Sequence, residues 1–144
     1  MKEQFVTYEI ATRLKELGFD EPCLGNWRLI DSGPVFSVSC DMYSTSQEKT
    51  SYIFGVTAIL APLWQQVIDW LRDKHGIGIE YHCLSLRWYS QIFPIDPIHQ
   101  YDRIQVNLDD NLSYSENQEK TILKTMNIVN DTGIFERFTC SRFL

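Results

Sequence analysis

From Pro62 to Gly76 the apolar residues recur with the period of a helix, and directly after Gly76 they recur with the period of a strand. That switch confines the chain to folds mixing helix and sheet. Pro62 suits a first helical position, where its missing N–H removes no hydrogen bond, and Gly76 after His75 suits the stop. At about 100° per residue, Leu63, Trp64, Val67, Ile68, Trp70 and Leu71 share one arc, opposite Gln65, Gln66, Asp69, Arg72 and Asp73. Trp64 falls near the middle of the arc and is expected in the core. Trp70 falls at its edge, half exposed, and is the tryptophan expected to meet a partner.

Beyond Gly76, Ile77, Ile79, Tyr81 and Cys83 alternate in "IGIEYHC", whereas Leu84, Leu86, Trp88 and Ile92 carry the pattern in "LSLRWYSQIF". The parity slips by one, which demands a bulge or a tight turn near Cys83 and Leu84. A turn gives two strands, with Trp88 on one face and Arg87 and Tyr89 on the other. An Arg/Tyr face tolerates half exposure and suits either stacking on bases or contact with a protein.

The remaining elements have local signals of their own. Thr7 as N-cap, Glu9, the apolar positions Ile10, Ala11, Leu14 and Leu17, and then Gly18 describe an amphipathic helix. Phe19 is placed to fold back toward Leu14 in a Schellman ending. "NWRLI" and "VFSVSC" flank "DSGP" as a hairpin, in which Phe36, Val38 and Cys40 alternate with serines, and a short strand is expected around "SYIFGV". "DRIQVNL" reads as a further strand. Ser113 and Glu116 have capping-box spacing ahead of a helix whose stripe is Ile122, Leu123, Met126 and Val129. The end, with Phe135, Phe138 and Phe143, reads as an edge strand or as an arm exchanged with a neighbour over residues 134–144. The expected architecture is α+β: a mostly antiparallel sheet of five or six strands with three helices packed mainly on one face.

The chain's 144 residues, 44% hydrophobic and 22% charged, fit one domain over 1–144 with a core of its own. No segment approaches the ~20 apolar residues of a spanning helix, and the first residues mix acids and bases unlike a secretory signal, so the expectation is a cytoplasmic protein with no membrane partner. Net charge of −6 disfavours nucleic acid as a partner, because binding phosphate backbones draws on positive charge.

"TYEIATRLKELGFDEPCLG" followed by "APLWQQVIDWLRDKHGI", with the capped helix at Ser113, resembles a family of uncharacterised small proteins of gut bacteria and their phage-like mobile elements. The shared pattern is a helix ending L-K-E-L-G-F-D, then A-P-x-x-Q-Q-x-x-x-W-x-R-x-K-x-G, over about the first half of the chain and the Ser113 region. The resemblance implies a fold and a genomic setting, with no activity, cofactor or site residue.

Catalytic, cofactor and metal motifs are not found. His75, His82 and His99 have no ligand spacing. Cys23, Cys40, Cys83 and Cys140 form no C-x-x-C pair; Cys40 and Cys83 alternate with apolar positions as buried thiols do, and Cys140 lies near Arg137 and Arg142. Asp69 with Asp73, and Asp109 with Asp110, read as solvated acids. The leading expectation is a non-catalytic accessory protein acting through protein–protein contact or self-association. Its candidate surface is Trp70, Arg87, Tyr89, Phe135, Phe138 and Phe143, and its partner is unknown. The contrasting readings are a nucleic-acid-associated protein of a mobile element, using Arg87, Tyr89 and the tail, and an enzyme whose site has no recognisable motif.

Overall fold

The computed structural model describes residues 1–43, 58–96, 98 and 102–131, with side chains in the second strand described up to residue 38. The strand expected near Ser51–Val56, the side chain of Cys40, and His99, Phe135, Phe138, Cys140 and Phe143 lie outside the described residues. Among the described residues the fold is α+β, with six strands in two antiparallel three-stranded sheets and three α-helices. The chain divides into two compact units, Met1–Val67 and Ile68–Leu144. The division falls inside a helix and not in a linker.

In the first unit a short 3-10 helix, Lys2–Gln4, precedes α1 (Tyr8–Glu16). Thr7 caps α1, its hydroxyl accepting from the Ile10 N–H at 3.4 Å. The helix ends as its sequence implies: Gly18 takes φ 89°, Gly18 N–H donates to Lys15 O and Phe19 N–H to Leu14 O, the two bonds of a Schellman motif. Ile10, Ala11, Leu14 and Phe19 are buried.

The hairpin of β1 (Cys23–Ile30) and β2 (Gly33–Tyr43) turns at Asp31 and Ser32, and β3 (Ala58–Ala61) pairs with the other side of β1. The alternating face is only partly covered: Phe36 packs on Phe5 and Trp27, while Val38, opposite Gly25, is exposed. The Trp27 indole N–H donates to Val6 O at 3.0 Å. At Gly25 a Cβ would lie 2.6 Å from the Phe5 ring and from Ala61 O, so only glycine admits the ring against the strand.

The helix α2 (Trp64–His75) begins two residues after Pro62, which lies just before the helix and not at its first position. Gln66 Oε1 accepts from the Leu63 N–H at the start, and Gly76 at φ 64° ends the helix. The exposures of the two tryptophans are the reverse of those expected. Val67, Trp70 and Leu71 are the buried set, so the arc is centred on Trp70's side; Trp70 is 4% exposed and its indole meets the His75 ring edge-on at 4.7 Å. Trp64 sits at the rim, half-buried, its indole N–H donating to Glu3 O at 2.9 Å.

In the second unit β4 (Ile77–Leu84) and β5 (Arg87–Pro94) form a hairpin, β6 (Ile104–Val106) pairs with β5, and α3 (Tyr114–Asn130) follows. The parity slip is a turn as expected, placed at Ser85 and Leu86. Ile77, Ile92 and Ile128 form a buried cluster, with Ile104, Val106 and Val129 packed around it. The capping box at the start of α3 is complete: Ser113 N–H donates to Glu116 Oε2 at 2.9 Å and Glu116 N–H to Ser113 Oγ at 3.3 Å. Ile122 and Met126 are buried as expected, but the earlier turns of α3 bury Asn117, Gln118, Thr121 and Thr125, which the apolar stripe did not indicate. Among the described residues no helix is long and apolar enough to cross a membrane.

Candidate interaction surface

The two faces of the β4–β5 hairpin differ because only one is covered by α3. On the covered face Tyr114, the first residue of α3, stands edge-on to Tyr81 at 5.6 Å and to Trp88 at 5.0 Å. Burial, then the neighbouring Tyr114, raises the Tyr81 pKa above the usual phenol range, while the Gln118 side chain works in the opposite direction. Deeper in, Asn117 Nδ2 donates to Ser90 Oγ and Thr121 shares a 2.8 Å hydrogen bond with that hydroxyl, while Asn107 Nδ2 donates to Asn117 Oδ1 at 2.9 Å. The hydrogens balance if Thr121 donates to Asn117 O at 2.6 Å and Ser90 donates to Thr121. The network is satisfied within itself and fixes α3 on β5.

The outer face carries Gly78 opposite Phe93, Glu80 opposite Gln91, His82 opposite Tyr89, and Leu84 opposite Arg87. Phe93 lies flat on Gly78, where a Cβ would be 2.4 Å from the ring. The Arg103 guanidinium stands 4.4 Å from the Phe93 ring centre and donates to Glu80 Oε2 at 2.6 Å and to Gln91 Oε1 at 2.9 Å. Glu80 Oε2 is also 3.4 Å from His82 Nε2, and the His82 ring stacks on Tyr89 at 5.1 Å, 20° from parallel. These groups are partly solvated, so the ion pairs order the face more than they stabilise it.

At the tip the face becomes apolar and exposed. Ser85 and Leu86 take φ 50° and 66°, the left-handed pair of a type I′ turn. Asn-Gly is the usual solution there; a leucine at the second position is strained. Leu86 is 92% exposed and Leu84 58%, and Cys83 and Arg87 beside them are exposed as well. Cys83 is therefore not the buried thiol expected from its alternation, because the tip extends past the cover of α3. The buried thiol is Cys23, which donates to Glu21 O and is pushed up to about 12, chiefly by desolvation.

Of the residues singled out in the sequence, Arg87 and Tyr89 do share a face opposite Trp88, and Trp70 lies in the core of α2 away from any exposed surface. The sequence alone does not indicate His82, which the strand register sets opposite Tyr89, or Phe93 and Arg103 further along the same face, and its alternation gives Leu84 and Leu86 to the apolar side of a strand. Placing the two-residue turn two residues later, at Ser85 and Leu86 instead of Cys83 and Leu84, exposes both leucines. Among the described residues no group of three or more His, Cys, Asp or Glu side chains could hold a metal ion. Comparison with known protein families, with curated proteins and with solved structures gives no match.

Proposed function

We propose that the protein is a non-catalytic accessory protein that acts through protein–protein contact, in the mobile-element setting its sequence resemblance implies, and that the tip of the β4–β5 hairpin is its docking element. The observation that carries this reading is Leu86, held almost fully in solvent at a left-handed backbone position beside the exposed Leu84. A strained, solvated leucine costs stability without return in the free protein, and such outliers concentrate where binding uses them. Arg87 has no ion-pair partner among the described residues, so the matching surface is an apolar depression with an acidic rim.

The test is capture from lysate of the source cells by the wild-type protein, by Leu84→Ser/Leu86→Ser and by Arg87→Glu, followed by titration of any captured protein in purified form. A partner lost with the leucine variant and weakened by Arg87→Glu supports the reading. A capture profile that both variants leave unchanged refutes it. A salt-sensitive mobility shift with DNA or RNA that requires Arg87 and Tyr89 would replace it with the nucleic-acid reading.

A further inference from the structure

We propose that two copies of this chain join through the outer edge of β4, antiparallel and centred on Tyr81, making one six-stranded sheet from the two three-stranded ones. Among the described residues β4 is bonded on one side only, to β5. Because Leu84 and Arg87 flank a two-residue turn, they form a hydrogen-bonded pair, and the pattern alternates from there. Leu84, His82, Glu80 and Gly78 direct their backbone groups into β5, and Cys83, Tyr81 and Ile79 direct theirs outward. Among the described residues no backbone bond outside the hairpin ladder satisfies Ile79, Tyr81 or Cys83.

Edge strands normally carry a device that discourages pairing. β2 has Pro34 and an irregular register near Cys23, and β6 is three residues long. β4 runs eight residues without proline, lysine or bulge.

The register follows from self-complementarity. With Tyr81 opposite Tyr81 of the second copy, Ile79 lies opposite Cys83, and every outward backbone group among these residues finds a partner, two hydrogen bonds to each opposed pair. On the outer face Glu80 then meets His82 of the second copy and His82 meets its Glu80. Leu84 meets Gly78, where the missing Cβ leaves the Phe93 ring open to it. Moving the centre to Glu80 sets two carboxylates face to face, and moving it to His82 sets two imidazoles face to face and leaves Glu80 against Leu84. The pairing shares Leu84 with the docking reading of the tip but does not use the turn residues Ser85 and Leu86, so Leu86 is the position that separates the two.

The experiment is sedimentation across a concentration series together with residue-resolved amide exchange. The expected result is a monomer–dimer equilibrium in which the Ile79, Tyr81 and Cys83 amides slow as concentration rises, while those of Glu80 and His82, already bonded to β5, do not change. His82→Glu places like charges in both cross-copy pairs and should weaken association roughly tenfold. The exchanged variant Glu80→His/His82→Glu restores opposite partners in the same register and should recover it. Leu86→Ser should leave association intact even where it abolishes partner capture. A monomer at every concentration, a dimer whose Ile79, Tyr81 and Cys83 amides exchange freely, or a dimer indifferent to His82→Glu overturns the proposal.

Discussion

Replacing Leu86 with glycine should make the protein more stable and less able to bind. Leu86 stands at φ 66° and is 92% exposed, so its side chain contributes almost no burial that the substitution could remove. A left-handed backbone costs an L-residue about 1–2 kcal/mol, which glycine escapes. Against this, glycine loses roughly 0.5–1 kcal/mol of additional backbone entropy on folding. The balance is a gain of up to about 1.5 kcal/mol, with each kcal/mol raising the melting temperature by about 2–4 °C in a chain of this size. Urea titration followed by tryptophan fluorescence reads it as a higher midpoint at unchanged slope. A lower midpoint would mean that Leu86 makes native contacts in the folded protein and would refute both the strain argument and the exposure on which the docking reading rests. The predicted combination, a stabilised fold with lost partner capture, is the signature of strain held at a functional site.

Three further outcomes follow from the same geometry. Ser90→Ala leaves Asn117 Nδ2 and the Thr121 hydroxyl short of a buried partner and should cost about 1–3 kcal/mol in chemical denaturation, with the α3 amides exchanging faster. Brief alkylation of the native protein, mapped by mass spectrometry, should label the exposed Cys83 and spare Cys23, whose thiol is buried and held near 12; equal labelling of the two would contradict the packing at Cys23. The Ser113 N–H, and then its hydroxyl, hold the Glu116 carboxyl below its ordinary 4.5, so the unfolded chain takes up this proton first as pH falls. The capping box therefore adds stability that is complete above about 4.5 and is lost as pH falls through the lower folded value, and Glu116→Gln, which removes the titrating group, should flatten that part of the acid denaturation curve.

What was legible in the sequence is what short stretches decide alone. Thr7, Gly18 and Phe19 define both ends of α1 through bonds within a few residues, and Ser113 with Glu116 defines the start of α3 in the same way. Trp64 and Trp70 lie on the same helical arc, and which of them is buried depends on where the arc is centred, a property of the packed neighbours and not of the helix. Asn117 and Thr121 read as a polar face because their burial rests on Ser90, more than two dozen residues earlier, and on Asn107, which closes the hydrogen bonds. The division into two sheets was hidden for a related reason. β1 and β5 are each central, with both edges filled by nearby strands, and alternation reports the faces of a strand but says nothing of its neighbours.

The hairpin tip is where a local rule fails in an informative way. Leu84-Ser85-Leu86-Arg87 continues a period-two pattern, so the sequence reads as strand across a point where the chain reverses. No glycine or asparagine marks the turn, although both central residues need positive φ. A chain required only to be stable at this point gains from Asn-Gly and loses nothing, because neither Ser85 nor Leu86 is covered. Elsewhere among the described residues the left-handed positions hold glycine or asparagine: Gly18, Gly33 and Gly76, and Asn107 and Asn111. The exception therefore coincides with the most exposed large apolar residue of the described hairpin, and these two departures are what the docking proposal rests on.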